Sequence, residues 1–119
     1  MVPEAAPASG AVALVYIDAY LIVLNKPPGL LSVPGRGPDK QDCLSARVQA
    51  QHPDALVVHR LDMATSGLIV MARSAAMQRA LSAAFSERAV HKTYEAVVSG
   101  AMACDGSEWH TIDLPIAVD

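Results

Sequence analysis

Aromatic residues are scarce: one Phe, one Trp and three Tyr among 119 residues. A core must therefore be built from Leu, Val, Ile, Ala and Met. These are plentiful in a chain that is 52% hydrophobic, which excludes a disordered protein. Cysteine is almost missing. Cys43 and Cys104 share no metal-type spacing and could form at most one bridge, so they read as free thiols in a reducing cytoplasm. No apolar run near the N-terminus is long enough to cross a bilayer, the longest being 11–17. The first residues, MVPEAAPASG, have no basic stretch ahead of an apolar one. They read as a loose tail over 1–12 and not as a signal peptide. A soluble cytoplasmic protein is expected. Positive charge is also short, nine Lys and Arg against twelve Asp and Glu for a net −3, which argues mildly against a dedicated nucleic-acid binder.

Along the chain, 14–17 reads as a short buried strand, Asp18-Ala19-Tyr20 as a turn and 21–25 as the hairpin partner. Lys26-Pro27-Pro28-Gly29 stops regular structure, because proline removes donors and glycine suits a turn. In the loop Pro34-Gly35-Arg36-Gly37-Pro38, Arg36 is either a solvated charge or a phosphate contact. Asp42 is the expected N-cap of a helix to Gln51 with Leu44 and Val48 buried, and His52 closes it. Ser74 is the expected cap of a second helix to Arg88 whose Met77, Leu81 and Phe85 face the core. Residues 92–98 alternate as a strand, and 109–116 suggest a further extended element. The pattern predicts an α+β domain over 13–119 with a mixed, largely antiparallel sheet and flanking helices. The chain stops just after the apolar run 112–118, and so is expected to be the N-terminal portion of a longer domain.

The chemistry concentrates in 57–74, VVHRLDMATSGLIVMARS. His59-Arg60-Leu61-Asp62 lies between two apolar stretches, with Thr65-Ser66-Gly67 reading as a tight turn. Loops on a rigid scaffold are where catalytic groups sit. A serine triad does not fit, since Ser66, His59 and Asp62 fall within eight residues and no G-x-S-x-G elbow occurs. Recruiting His91 or His110 to His59 and Asp62 for a metal matches no signature spacing, and Gly35-Arg36-Gly37 is neither a dinucleotide fingerprint nor a P-loop. No cofactor or metal is expected. What remains is a carboxylate acting alone. Asp62 is either half of a surface ion pair with Arg60 or, with a cation close by on a turn between strands, a nucleophile or base. His59 either orients the turn through a hydrogen bond or has a direct chemical role, and Tyr94 reads as a core strand tyrosine.

The run from His59 to Gly67 resembles the H-R-L-D-x-x-T-S-G signature of the RluA-type pseudouridine synthases. Asn25-Lys26-Pro27-Pro28-Gly29-Leu30 is similar to that family's N-K-P-x-G-L element, and Lys92-Thr93-Tyr94 with Val98 and Gly100 to its K-x-Y-x-A-x-V-x-G strand. Leu31-Ser32-Val33-Pro34-Gly35-Arg36 and Asp113-Leu114-Pro115-Ile116 resemble the subgroup that acts on 23S rRNA and a tRNA anticodon stem-loop. The resemblance implies an enzyme that turns uridine into pseudouridine without a cofactor. It implies Asp62 as catalytic carboxylate, Arg60 as the residue filling the stack when the uridine flips out, and Tyr94 as a ring stacked on the uracil. Arg36 and His59 are carried as further RNA-binding candidates. The family's later G-R-T/S-H-Q-L/I-R segment, which supplies a second arginine beside the aspartate, is not among these residues, so the 119 residues alone are expected to be weakly stable and inactive. Two other functions compete: a noncatalytic RNA-binding module using the same arginines, and a small domain in which Arg60 and Asp62 merely lock a turn. Oligomeric state is left open.

Overall fold

The computed structural model describes residues 11–100 and Leu114. Expectations placed on 1–10, on Cys104 and His110, and on the element and motif within 109–116 lie outside the described residues, Leu114 apart. The elements are β1 (Ala13–Ile17), β2 (Leu21–Lys26), α1 (Leu44–Gln51), β3 (Leu56–Val57), β4 (Gly67–Ala72) and α2 (Ala75–Ser86). The strands form one antiparallel sheet in the order β1-β2-β4-β3, with an isolated parallel bridge between Leu31 and Cys43. The arrangement is α+β, as the pattern predicts.

Register explains where the core sits. Side chains alternate between faces along a strand, and β2 pairs with β4 so that Leu24 opposes Ile69 and Ile22 opposes Met71. These four are buried on one face, joined by Leu30, Ala55 and the Leu44 and Val48 side of α1. Lys26 continues the row from Ile22 and Leu24, which carries a lysine onto the buried face. The hairpin turn between β1 and β2 closes on Asp18, whose carboxylate accepts the N–H groups of Tyr20 (2.8 Å) and Leu21 (2.9 Å).

Tertiary contacts revise several local expectations. β1 is an edge strand, and Leu14, Val15 and Tyr16 are each more than half exposed, not buried. A bulge at Val15 shifts its register, a common device at sheet edges. Val12, assigned to the tail from sequence, packs against the core. Asp42 does not cap α1. The cap position is Cys43, and the first helix N–H groups, those of Leu44 and Ser45, instead donate to the carbonyls of Leu31 (2.7 Å) and Ser32 (3.1 Å). Asp42 pairs with Arg47 (2.7 Å). Ser74 does cap α2, accepting from the Met77 N–H at 3.1 Å, but α2 ends at Ser86 and buries no residue fully. Its Met77, Leu81 and Phe85 stripe is half-buried. Residues 92–98, expected as a strand, form none: the segment starts across a groove from Leu68 and Val70 of β4 without joining the sheet, so alternation alone does not make it a strand. Among the described residues no helix is long and apolar enough to cross a membrane.

Candidate active site

The segment 58–66 links β3 to β4 and carries the H-R-L-D run. Its turn lies earlier than the glycine suggests: the Thr65 N–H donates to the Asp62 carbonyl at 3.0 Å, so residues 62–65 turn and Gly67 opens β4. Gly67 has φ 133°, a conformation that disfavours side chains, which is why this strand starts on glycine. The backbone on either side of Asp62 is held. The Ser32 hydroxyl donates to the Leu61 carbonyl (2.6 Å) and accepts the Leu61 N–H (3.0 Å). The Met63 carbonyl accepts from the Gly29 N–H (2.8 Å) and from the Lys26 ammonium (3.0 Å). The Asp62 side chain stands exposed on this fixed frame.

Lys26 is the functional-site residue that sequence reasoning passed over. It is fully buried, and its Nζ donates to the carbonyls of Pro27 (3.0 Å), Leu30 (2.6 Å) and Met63. Three acceptors match the three donors of an ammonium. Burial lowers the Lys26 pKa, and the charge of Asp62 opposes that shift. Lys26 is thus the cation whose charge is coupled to that of Asp62, and its Nζ bonds the carbonyl of the next residue, Met63. Arg60 and Asp62 form no ion pair, whereas Asp42–Arg47 and Asp54–Arg73 (2.8 Å) do. The work of locking the turn falls to Ser32 and Lys26. The available signal was the strand alternation itself, which puts position 26 on the face of Ile22 and Leu24.

Arg60 is exposed, as is Arg36 in a loop closed by the Gly35 N–H on the Lys40 carbonyl (2.8 Å) and the Gln41 amide on the Gly37 carbonyl (3.0 Å). His59 and Tyr94 line one groove of about 220 Å3 with Leu61, which adjoins Asp62, and with Leu68, Val70 and Phe85. The His59 ring stacks on Phe85 with centroids 4.2 Å apart, and its Nε2 accepts the Val70 N–H at 3.0 Å. Tyr94 is 62% exposed. Among the described residues no three His, Cys, Asp or Glu side chains gather as a metal site would need.

Burial, reinforced by Lys92, pushes the His59 pKa below its ordinary value. Accepting from Val70 requires an unprotonated Nε2, so the fold favours neutral His59. A base whose folded pKa is depressed gives stability that is complete above its unfolded pKa of about 6.5. That stability is lost as pH falls from there through the folded value. His59→Gln is expected to flatten the decline below about pH 6.5; urea midpoints of parent and variant above and below that pH measure it, and parallel pH curves would count against the coupling.

The family model described as RNA pseudouridylate synthase matches residues 20–118, and the chain belongs to that family. Over 106 residues, 89% of this chain and 50% of the relative, it is 50% identical to the dual-specificity RNA pseudouridine synthase RluA of Yersinia pestis. The protein of the same name in Escherichia coli K12 is 45% identical over 107 residues, 89% of this chain and 47% of the relative. The chain thus spans about half the length of the curated relatives it matches. Among solved structures it resembles human RNA pseudouridylate synthase domain containing 4, with TM-score 0.52 and 27% identity over 65% of this chain and 30% of that one.

Proposed function

We propose that the protein isomerises uridine to pseudouridine in structured RNA, with Asp62 as the catalytic carboxylate. The observation that carries this is an exposed Asp62 side chain on a turn whose flanking backbone is bonded by Ser32, Gly29 and Lys26. Catalysis favours a reacting group held in place before substrate arrives. The reaction breaks the N1–C1′ bond, rotates the uracil and forms C5–C1′; the C5 proton leaves and N1 ends protonated. Asp62 acts at C6 of the base, at C1′ of the sugar, or by assisting glycal formation. Arg60, exposed and outside the ion pairs, is suited to take the place of the flipped base, since a planar guanidinium stacks on neighbours. Tyr94, exposed at the groove beside His59, is proposed to stack on the uracil, and Arg36 to contact phosphate. Flipping costs less in loops than in duplexes, which favours structured RNA loops; the resemblance of 31–36 points among these to 23S rRNA and a tRNA anticodon stem-loop, substrates of the cytoplasm.

The test is tritium release from RNA labelled at uracil C5, comparing the full-length parent with Asp62→Ala. Release that depends on Asp62 supports the proposal; release that survives the substitution overturns it. Arg60→Ala is expected to weaken productive RNA binding about tenfold, the scale of a stacking contact worth about 1–3 kcal/mol. Thermal unfolding should stay unchanged, because Arg60 makes no ion pair with Asp62. A filter-binding isotherm and a melt on the same preparation read both.

A further inference from the structure

We infer that Ser32 is a positioning residue for Asp62, acting through the Leu61 peptide, a role that rests on the proposed isomerase function and extends it to a residue outside the H-R-L-D run. Ser32 is buried, 4% exposed, and its single hydroxyl takes both polar groups of Leu61: it donates to the carbonyl at 2.6 Å and accepts from the N–H at 3.0 Å. A peptide unit is planar from one Cα to the next. Fixing the Leu61 carbonyl therefore fixes the plane that ends at the Asp62 Cα. Downstream, Thr65 holds the Asp62 carbonyl and Lys26 with Gly29 hold that of Met63. Ser32 is the matching grip on the upstream side.

Ser32 is itself anchored. Its carbonyl accepts the Ser45 N–H (3.1 Å), and the adjacent Leu31 carbonyl accepts that of Leu44 (2.7 Å). The start of α1 thus backs the strand-like segment 31–32, which in turn holds the loop bearing the carboxylate. Alanine at 32 would leave the Leu61 N–H and carbonyl without this partner, while threonine retains the hydroxyl. A shift of about 1 Å in a reacting group can cost about a hundredfold in rate.

The experiment uses the full-length protein, with the parent and Asp62→Asn as reference points. Single-turnover pseudouridine formation, RNA Kd and KM are measured for Ser32→Ala and Ser32→Thr, together with hydrogen exchange of the Leu61 amide. For Ser32→Ala the expected result is a rate about 10- to 100-fold lower, Kd and KM within about twofold of the parent, and faster Leu61 exchange. Ser32→Thr is expected to recover most of the rate. Where Ser32→Ala does not remain folded at assay temperature, Ser32→Cys replaces it; its weaker donor predicts an intermediate rate. A folded alanine variant as fast as the parent, a rate loss matched by a Kd loss, unchanged Leu61 exchange, or a folded threonine variant as slow as alanine overturns the assignment. A parent that forms no pseudouridine overturns the isomerase proposal and this role with it, whereas an active parent insensitive to position 32 overturns this role alone.

Discussion

Asp62→Asn is expected to reduce single-turnover pseudouridine formation by roughly 10^4-fold or more, the scale seen when a reacting side chain is removed. The asparagine keeps the size and the backbone of the aspartate. The Asp62 carbonyl still accepts from Thr65, and the Ser32 and Lys26 grips on Leu61 and Met63 are untouched. Stability should change by no more than about 0.5 kcal/mol, as for other exposed sites. One secondary effect has a definite sign. Asp62 raises the Lys26 pKa against the lowering due to burial, so its neutralisation should lower that pKa further. The measurement pairs the single-turnover rate with urea unfolding of the same sample. A rate within tenfold of the parent would remove Asp62 from the chemistry, and a large stability loss would mean that the carboxylate supports the fold instead.

Lys26→Met is expected to destabilise the fold by about 2–4 kcal/mol, since bonds from a charged donor are worth about 1.5–3 kcal/mol each and ending the burial of a charge offsets part of the loss. The carbonyls of Pro27, Leu30 and Met63 would lose a common donor at once. Methionine fills similar volume and is apolar, so the loss isolates the bonding. Lys26→Arg should not rescue, because a planar guanidinium spreads its donors in a fixed fork whereas an ammonium directs three from one point. Activity should fall with stability, because the Met63 carbonyl is one of the ties beside Asp62. Urea unfolding reads the first effect, and the single-turnover rate on the remaining folded protein reads the second. A methionine variant as stable as the parent would show that the three carbonyls find other partners.

The candidate site was legible to different depths. The H-R-L-D run could be found because its polar residues interrupt apolar β-branched stretches, a contrast visible in one dimension. The ion pair between Arg60 and Asp62 looked reasonable from a spacing of two, yet neighbours two apart on an irregular turn have no fixed relation, and no pair forms. Lys26 looked like the end of a strand before a proline stop. Its burial depends on the loops that carry Pro27, Leu30 and Met63 closing over that face of the sheet, the last of them 37 positions away. The Ser32 contact spans 29 positions and leaves no local pattern at all.

Taken alone, the amino-acid order determined the element types up to α2 though not at 92–98, the hairpin at Asp18, the Ser74 cap, the apolar stretches of β2 and β4 and the place of the loop between strands. Each follows from chemistry within a few residues: alternation, capping and turn preference. The tertiary structure decided which strand is an edge, what satisfies the first N–H groups of α1, that 92–98 forms no strand, and that the charge coupled to Asp62 is that of Lys26. These depend on backbone groups finding partners across long separations, and the unpaired donors and acceptors of a strand or helix end do not specify in advance who will meet them.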